Sequence, residues 1–437
     1  MHPLASAREK MRLWPTALTA TLALRIGAGA AGTLPPVAAL AFFDRAAYGQ
    51  AMANFALALL LIGPIAQYLS QGYLRELVAA DTRDGPPTGA ITAPLYALLC
   101  IGLLAALAAT SLLTAIDAAF AAGIVAIMTA ARLQESWFVA AGRQSAAIAL
   151  FYLIPPLVLV GLMLGLHGIA GGNDFLLVGW AQVAAYGGCV LASLVIQPAH
   201  GRGILVPRIP SSLAAWRREL SAAGLFLANG AMLSATENLP IVLLKFFGFA
   251  AVTPSYELAR KVAAVPGVVL HALNMHLAPR LISAAHAGAW QDFRAQLVRF
   301  SLITSSTGIA YIALALAVLF GLVFWLPAIA PRIEVPVFVI LLAAAAVTAI
   351  AAPCGSALIA LRGEAWWTVG AALSLAIQLV ISAAAARGAG MIAIPLAALA
   401  QTAALSAVVV LGTLALLRRR RPRDDLQLKP ADVGLGG

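Results

Sequence analysis

Charge is scarce in this chain. Only 10% of its 437 residues are Asp, Glu, Lys or Arg, while 62% are hydrophobic and the mean hydropathy is +0.94. So little polar material cannot coat a water-soluble particle of this length. Cysteine is nearly absent as well. Cys100, Cys189 and Cys354 each fall inside an apolar run, where they read as small packing residues and not as disulfide partners. The six histidines are scattered, and no His, Cys or carboxylate cluster has metal-ligand spacing, so no metal or other cofactor is expected. No Walker loop occurs, which excludes ATP as a direct energy source. Long polar loops are missing too, and with them the room for a folded domain outside a membrane.

What is present is twelve apolar stretches. They run Ala17 to Ala41, Tyr48 to Tyr73, Ala90 to Leu113, Ala119 to Ala140, Ala147 to Leu166, Leu176 to Ile196, Leu220 to Leu244, Ala250 to Leu273, Phe300 to Leu326, Val335 to Leu358, Trp366 to Ala386 and Met391 to Leu417. A hydrocarbon core of ~30 Å needs about 20 apolar residues per helix, and each stretch is close to that length. Membrane strands would instead alternate over about 10 residues, which these continuous runs do not. The fold class expected is an all-α polytopic membrane protein with about 12 transmembrane helices.

Lysine and arginine orient the spans. With the N-terminus inside, 20 of the 28 cations fall on the inner side, against Arg45, Lys245, Arg332 and Arg387 outside and Arg25, Arg132, Arg260 and Lys261 within spans. Cations are retained on the cytoplasmic side, so both termini are expected there, in a bacterial inner membrane. The net charge of +11 is then a topology signal. It does not indicate a nucleic-acid surface, since no soluble domain exists to carry one. The run Arg418 to Arg421 stops the last span at the inner surface, where anionic membrane lipids are its natural contacts. Arg8, Lys10 and Arg12 ahead of an apolar run ending Ala39-Leu40-Ala41 also have the outline of a secretory leader. That run is too long for a leader core and contains Arg25.

The chain repeats itself. Pro36, Leu40, Phe42, Phe43, Ala46 and Ala47 recur as Pro240, Leu244, Phe246, Phe247, Ala250 and Ala251 at a constant offset of 204. This sets the end of span one against the end of span seven and divides the chain into two halves of six spans. Six being even, both halves enter from the same side, as parallel repeats about an axis along the membrane normal. The organisation expected is an N-terminal lobe over 1–198, a cytoplasmic linker over 199–219, a C-terminal lobe over 220–417 and a basic cytoplasmic tail over 418–437. Two-lobed bundles of this kind move something through the cleft between the lobes, unless the duplication is only a scaffold.

Seven ionisable groups lie within the spans: Arg25, Arg132, Glu135, Glu237, Glu257, Arg260 and Lys261. At roughly 2.5 to 3.5 kcal/mol each, exposing them all to lipid would cost on the order of 20 kcal/mol. That exceeds the ~5 to 15 kcal/mol net stability typical of a protein, so most must face protein or water. Helical geometry gathers Glu257, Arg260, Lys261 and His271 into a stripe about 100° wide on span eight. Thr21, Arg25, Gly29, Gly32 and Pro36 cluster on one side of span one, and span seven adds Asn229, Ser234 and Glu237. The substrate-binding set expected is therefore Arg25, Asn229, Glu237, Glu257, Arg260, Lys261 and His271, with no catalytic residue and no metal ligand. Local pairing competes with this reading. Glu257 lies three and four residues before Arg260 and Lys261, and Arg132 and Glu135 are three apart, which suits a structural pair or snorkelling.

Particular segments resemble a family. Phe42-Phe43-Asp44-Arg45-Ala46-Ala47-Tyr48-Gly49-Gln50 after span one, and Gln71-Gly72-Tyr73-Leu74-Arg75-Glu76 ending span two, are similar to the opening of bacterial oligosaccharide and O-antigen flippases. These belong to the multidrug, oligosaccharidyl-lipid and polysaccharide exporter superfamily. Glu237 to Gly248, Tyr256-Glu257-Leu258-Ala259-Arg260-Lys261 and Pro279-Arg280-Leu281 resemble that family's acidic residue, glycine turn, tyrosine and cytoplasmic proline segment. The resemblance implies a V-shaped carrier that turns an undecaprenyl-pyrophosphate-linked oligosaccharide between leaflets by alternating access, for surface polysaccharide biosynthesis. It implies a polysaccharide polymerase as working partner and H+ or Na+ as coupling ion. Lumen cations would compensate pyrophosphate, since arginine donates two parallel charge-assisted hydrogen bonds to it. The chain departs from the family in having few aromatics for sugar stacking and glutamates where aspartates are usual.

Two rivals stand beside this. A cation-coupled multidrug antiporter of the same superfamily would use a membrane carboxylate such as Glu237, although span one carries Arg25 and no acid. A membrane glycosyltransferase or polymerase would need catalytic groups in sizeable outer loops, where this chain offers little beyond Asp44, Asp117, Asp174 and Glu334. A flippase for the peptidoglycan precursor is expected to carry two further spans.

Overall fold

Twelve helical passes follow one another through a computed structural model that describes residues 21, 23–69, 89–141, 143–167, 174–196, 213–325, 330–361, 363–385 and 390–419. Among these residues there is no strand. The first pass is two helices, α1 (23–31) and α2 (Leu34–Phe42), where the sequence suggested one. The break has a local cause. Pro35 and Pro36 lack the N–H groups that would continue the α1 ladder, and they sit instead at the start of α2, where those donors have no partner anyway.

The remaining passes are α3 (Arg45–Tyr68), α4 (Gly89–Ala109), α5 (Ala115–Ala140), α6 (Gln144–His167), α7 (Asp174–Ile196), α8 (Leu213–Phe246), α9 (Thr253–His286), α10 (Trp290–Trp325), α11 (Val335–Ala360), α12 (Glu364–Ala385) and α13 (Ala393–Arg419). Helix starts follow their caps: Asp44 accepts from the Ala47 N–H at 2.7 Å and Thr114 from the Asp117 N–H at 3.1 Å. Gly248, at φ +81°, ends α8 in the left-handed conformation that glycine tolerates best. Helix α8 begins at Leu213, so the last part of the expected linker is already helical.

Eight of the passes are long and apolar enough among the described residues to cross a membrane. The other four are the broken α1/α2 pass, α4 with an apolar stretch at Ala93–Ala109, and α8 and α9, which carry most of the embedded charge. The exterior is apolar. Leu99, Leu191, Val195, Phe320, Phe324 and Val380 are all more than half exposed, a surface suited to acyl chains and not to water.

Both halves show one packing plan. In the first, α3 and α4 pack on α5, α5 packs on α7, and α6 packs on α7; in the second, α9 and α10 pack on α11, α11 on α13, and α12 on α13. The repeated segments also take matching positions. Leu40 and Leu244 are fully buried, Phe42 and Phe246 point outward at 59% and 79% exposure, and Phe43 and Phe247 turn into the core.

The largest apolar cluster joins the halves at one end. It contains Leu40 of α2 and Phe43 just after it, Tyr48 of α3, Met163 of α6, Leu177 of α7, Leu244 of α8, Tyr256 of α9, Phe338 of α11 and Ile394 of α13. It surrounds the turns after Phe42 and Phe246. At the opposite end the clusters belong to one half each, Phe138, Ala147 and Leu150 in the first, and Leu281, Phe293, Ala357 and Leu361 in the second. Away from the α3/α8 contact, the described apolar clusters join the lobes at the Phe43 end and stay within one half at the other.

Candidate functional site: the cleft between the lobes

Two helix pairs from opposite lobes meet across the cleft. Helices α3 and α8 pack along their lengths through small residues. A Cβ placed on Gly49 would lie 1.9 Å from the Ala250 carbonyl oxygen, one on Gly63 2.0 Å from the Ser234 Cβ, and one on Gly230 2.5 Å from the Gly63 oxygen. Ser234 also donates to the Leu59 carbonyl at 2.8 Å. The other pair, α1/α2 with α9, is looser. A Cβ on Gly29 would meet nothing within 4 Å, and one on Gly32 would come 3.6 Å from the Lys261 Nζ.

The expected binding residues collect at this second seam. On α9, Glu257 is 4% exposed, accepts from the Tyr48 hydroxyl at 3.0 Å and lies 4.0 Å from Arg260. Arg260 reaches across to α8, where its Nη1 donates to the Glu237 carbonyl at 2.7 Å, and its buried Nε has no partner. Lys261 is exposed and faces Gly32. Arg25, seven residues before Gly32, shares its helical face about 10 Å further along α1 and is exposed, as is Glu237. Neither Arg25 nor Lys261 has an ion-pair partner within 4 Å among the described residues. Asn229 and His271 belong to α8 and α9, but their side chains lie outside those described. The local-pair reading of Glu257 holds only at the limit of contact, because the carboxylate spends its close hydrogen bond on Tyr48 in the other lobe.

Lys245, Asp117, Arg332 and Asp174, charges assigned from sequence to outer loops, are structural ties. Lys245 Nζ lies 2.9 Å from the Asp117 carboxylate and 2.9 Å from the Asn54 Oδ1, while Asn54 Nδ2 donates to Asp117 at 2.7 Å. This triad bridges α8 to α3 and α5. Arg332, before α11, donates to the Leu40 and Ala41 carbonyls at 2.8 and 3.1 Å. Asp44 and Asp174 are joined as well, the Asp44 N–H donating to Asp174 at 2.7 Å. All of these lie at the Phe43 end. A signal for Lys245 was present in the repeat: its counterpart 204 residues earlier is Ala41, so the second half carries a cation where the first carries a methyl. Tyr48 and Asn54, neutral and inside a predicted span, gave none.

The geometry gives one tight seam between the lobes, one looser seam carrying cations, and an end fastened by polar contacts between lobes. No protein-family model and no curated protein matches the chain. Among solved structures it is similar to the inward-facing conformation of a multidrug resistance MATE family transporter of the MOP superfamily, at a TM-score of 0.57 and 12% identity over 90% of this chain and 94% of that one. It is similar also to the outward-facing conformation of a multidrug resistance MATE family transporter of the same superfamily, at a TM-score of 0.53 and 11% identity over 92% and 96% of the two chains. The chain thus has the all-helical fold of the MATE transporters.

Proposed function

We propose that this protein is a multi-pass carrier that works by alternating access and turns an anionic lipid-linked substrate across a bacterial inner membrane, an undecaprenyl-pyrophosphate-linked oligosaccharide being the substrate class. One observation supports this most: unpaired positive charge on opposed faces of α1 and α9, in Arg25, Lys261 and the unfilled Nε donor of Arg260. A buried donor without an acceptor is costly, and a pyrophosphate oxygen is a good acceptor for it. The parted α1/α9 seam lets a polyprenyl tail remain in lipid while the head occupies the chamber. The closed end, by the charge asymmetry of the loops, faces outward, so the chamber opens to the side on which the substrate is made.

The test is a proteoliposome assay with a fluorescent polyprenyl-pyrophosphate-linked sugar and a membrane-impermeant quencher. Wild type should speed transfer between leaflets, and Arg25→Ala with Arg260→Ala should slow it at least tenfold without loss of inserted protein. A second reading, a cation-coupled multidrug antiporter, draws on Glu237, an exposed carboxylate in the same chamber. Ethidium efflux driven by a proton or sodium gradient and abolished by Glu237→Gln, with no lipid transfer, would decide for it.

A further inference from the structure

The end of the C-terminal lobe away from the Phe43 turn carries positive charge that no described contact uses. An apolar cluster there contains Leu281 of α9, Phe293 of α10 and Ala357 of α11, with Leu297 of α10 and Leu416 and Leu417 of α13 packed against it. The start of α10 and the finish of α13 therefore meet at one end of the lobe. Arg294 and Arg299 follow Phe293 along α10, Arg418 and Arg419 end α13, and all four are exposed. None of the four lies within 4 Å of a carboxylate among the described residues. Against them the same stretch of α10 sets one exposed acid, Asp292.

The arginines stand in line with residues suited to acyl chains. On α10, Arg294, Val298 and Leu302 form a row at steps of four, and Val298 and Leu302 are 60% and 68% exposed. On α13, Leu411, Leu414 and Arg418 form a row at steps of three and four, with Leu411 and Leu414 59% and 48% exposed. Helix α10 has 36 residues, ~54 Å against a hydrocarbon core of ~30 Å, so its first turns reach the headgroups. Tryptophans mark the same level. Trp290 holds its ring 6.1 Å from that of Phe293, and Trp366, near the start of α12, lies against Gly412 of α13. Tryptophan collects at membrane interfaces because its ring suits an apolar layer and its N–H a wet one.

We propose that this end of the C-terminal lobe is a binding surface for anionic phospholipid, with the arginines on the phosphates and the acyl chains along the apolar rows. Continuity of the two surfaces selects the occupant. A soluble acidic partner would engage the arginines and leave the apolar rows untouched, whereas one phospholipid satisfies both. A zwitterionic lipid carries its own ammonium beside the phosphate, which competes with the guanidinium, so a net negative headgroup is preferred. Each arginine donates two parallel charge-assisted hydrogen bonds to a phosphate. A cation near an anionic lipid surface gains about fivefold in affinity. The sequence sets Arg418 to Arg421 at the surface as the end of a span; the structure adds a second pair, from α10, at the same end of the lobe.

Competition between two lipids tests this. The full-length protein, stripped of lipid in detergent, is offered equal amounts of phosphatidylglycerol and phosphatidylcholine, and bound lipid is counted by native mass spectrometry. Wild type should retain phosphatidylglycerol over phosphatidylcholine by about tenfold or more. Arg294→Gln with Arg299→Gln, and separately Arg418→Gln with Arg419→Gln, should each lower that ratio, and all four together should bring it close to even. Arg143→Gln, which removes an exposed cation at the corresponding end of the N-terminal lobe, should leave most of the preference. Unfolding midpoints in phosphatidylcholine alone, unchanged across the variants, show that they fold. Equal retention of both lipids by wild type would overturn the surface, as would a preference that survives in the fourfold variant or one that Arg143→Gln lowers as much as either pair. A rise in unfolding midpoint from inorganic phosphate equal to that from phosphatidylglycerol would assign the arginines to a soluble anion and overturn it too.

Discussion

The two seams between the lobes are related by the internal repeat but are built from opposite materials. The α3/α8 seam is glycine, alanine and serine in backbone contact, with the Ser234 hydroxyl spent on a carbonyl. The α1/α9 seam is glycine facing lysine, with arginine above and below. At the repeat offset the charged stripe Glu257, Arg260 and Lys261 corresponds to Ala53, Ala56 and Leu57 on α3. Duplication supplied two equivalent crossings, and the embedded charge lies at one of them. Small residues let helices approach until dispersion holds them, whereas cations without carboxylate partners keep water or an anion between helices. One crossing suits a hinge and the other a portal.

The largest effect should come from swapping the character of the seams. Gly49→Val places methyl groups where the Ala250 backbone already stands, and no side chain there can give way. Overpacking of this kind costs typically ~1 to 3 kcal/mol even where neighbours can shift, so the variant should lose most of its folded, monodisperse protein. Gly29→Val, with open space around it, should leave the unfolding midpoint in detergent within a degree or two of wild type. Equal losses from both would remove the distinction between the seams.

Next in size is the tie at the closed end. Lys245→Met leaves Asp117, whose side chain is 11% exposed, without its cation. Losing one partner of a buried pair costs ~3 to 5 kcal/mol, and Lys245 keeps 25% exposure, so about 2 kcal/mol is expected. Lys245→Met combined with Asp117→Asn should recover part of that loss in a double-mutant cycle, which a strictly additive pair would not. Smallest is Tyr48→Phe, which removes one hydrogen bond to Glu257 while keeping the ring. About 1 kcal/mol is expected in thermal unfolding, with a shift toward the conformation open at the Phe43 end measurable by spin-label distances between lobes.

Much of the fold was legible in the sequence because the bilayer imposes one length and one polarity on every pass. The spans, the repeat and the even count per half all follow from that constraint, and matching helix contacts recur in both lobes. The break in the first pass was harder to see. Pro36 signalled a disturbance, but only the backbone shows that Pro35 and Pro36 start a new helix. The site was legible where charge was costly: Arg25, Glu237, Glu257, Arg260 and Lys261 stood out because burying them is expensive. Lys245, Asp117 and Arg332 did not, since they fall at span ends where water is near and no cost is implied. Their pairing depends on which lobe faces which, and hydropathy holds no information about that. The Arg132 and Glu135 pair was visible as a local contact, but Tyr152 donates to Glu135 from a π turn that shifts the helical register.

Water accessibility of the α1/α9 seam tests the central claim most directly. In a background with Cys100, Cys189 and Cys354 replaced by alanine, Arg25→Cys and Lys261→Cys are treated in membranes with a permeant-blocked, charged thiol reagent, beside Phe320→Cys on the apolar exterior and Gly230→Cys in the tight seam. The account predicts rapid labelling at positions 25 and 261, from one side of the membrane only, and none at 320 or 230. Labelling at 25 and 261 no faster than at 320 would mean that these cations point into lipid or packed protein, and that no wet chamber separates the lobes.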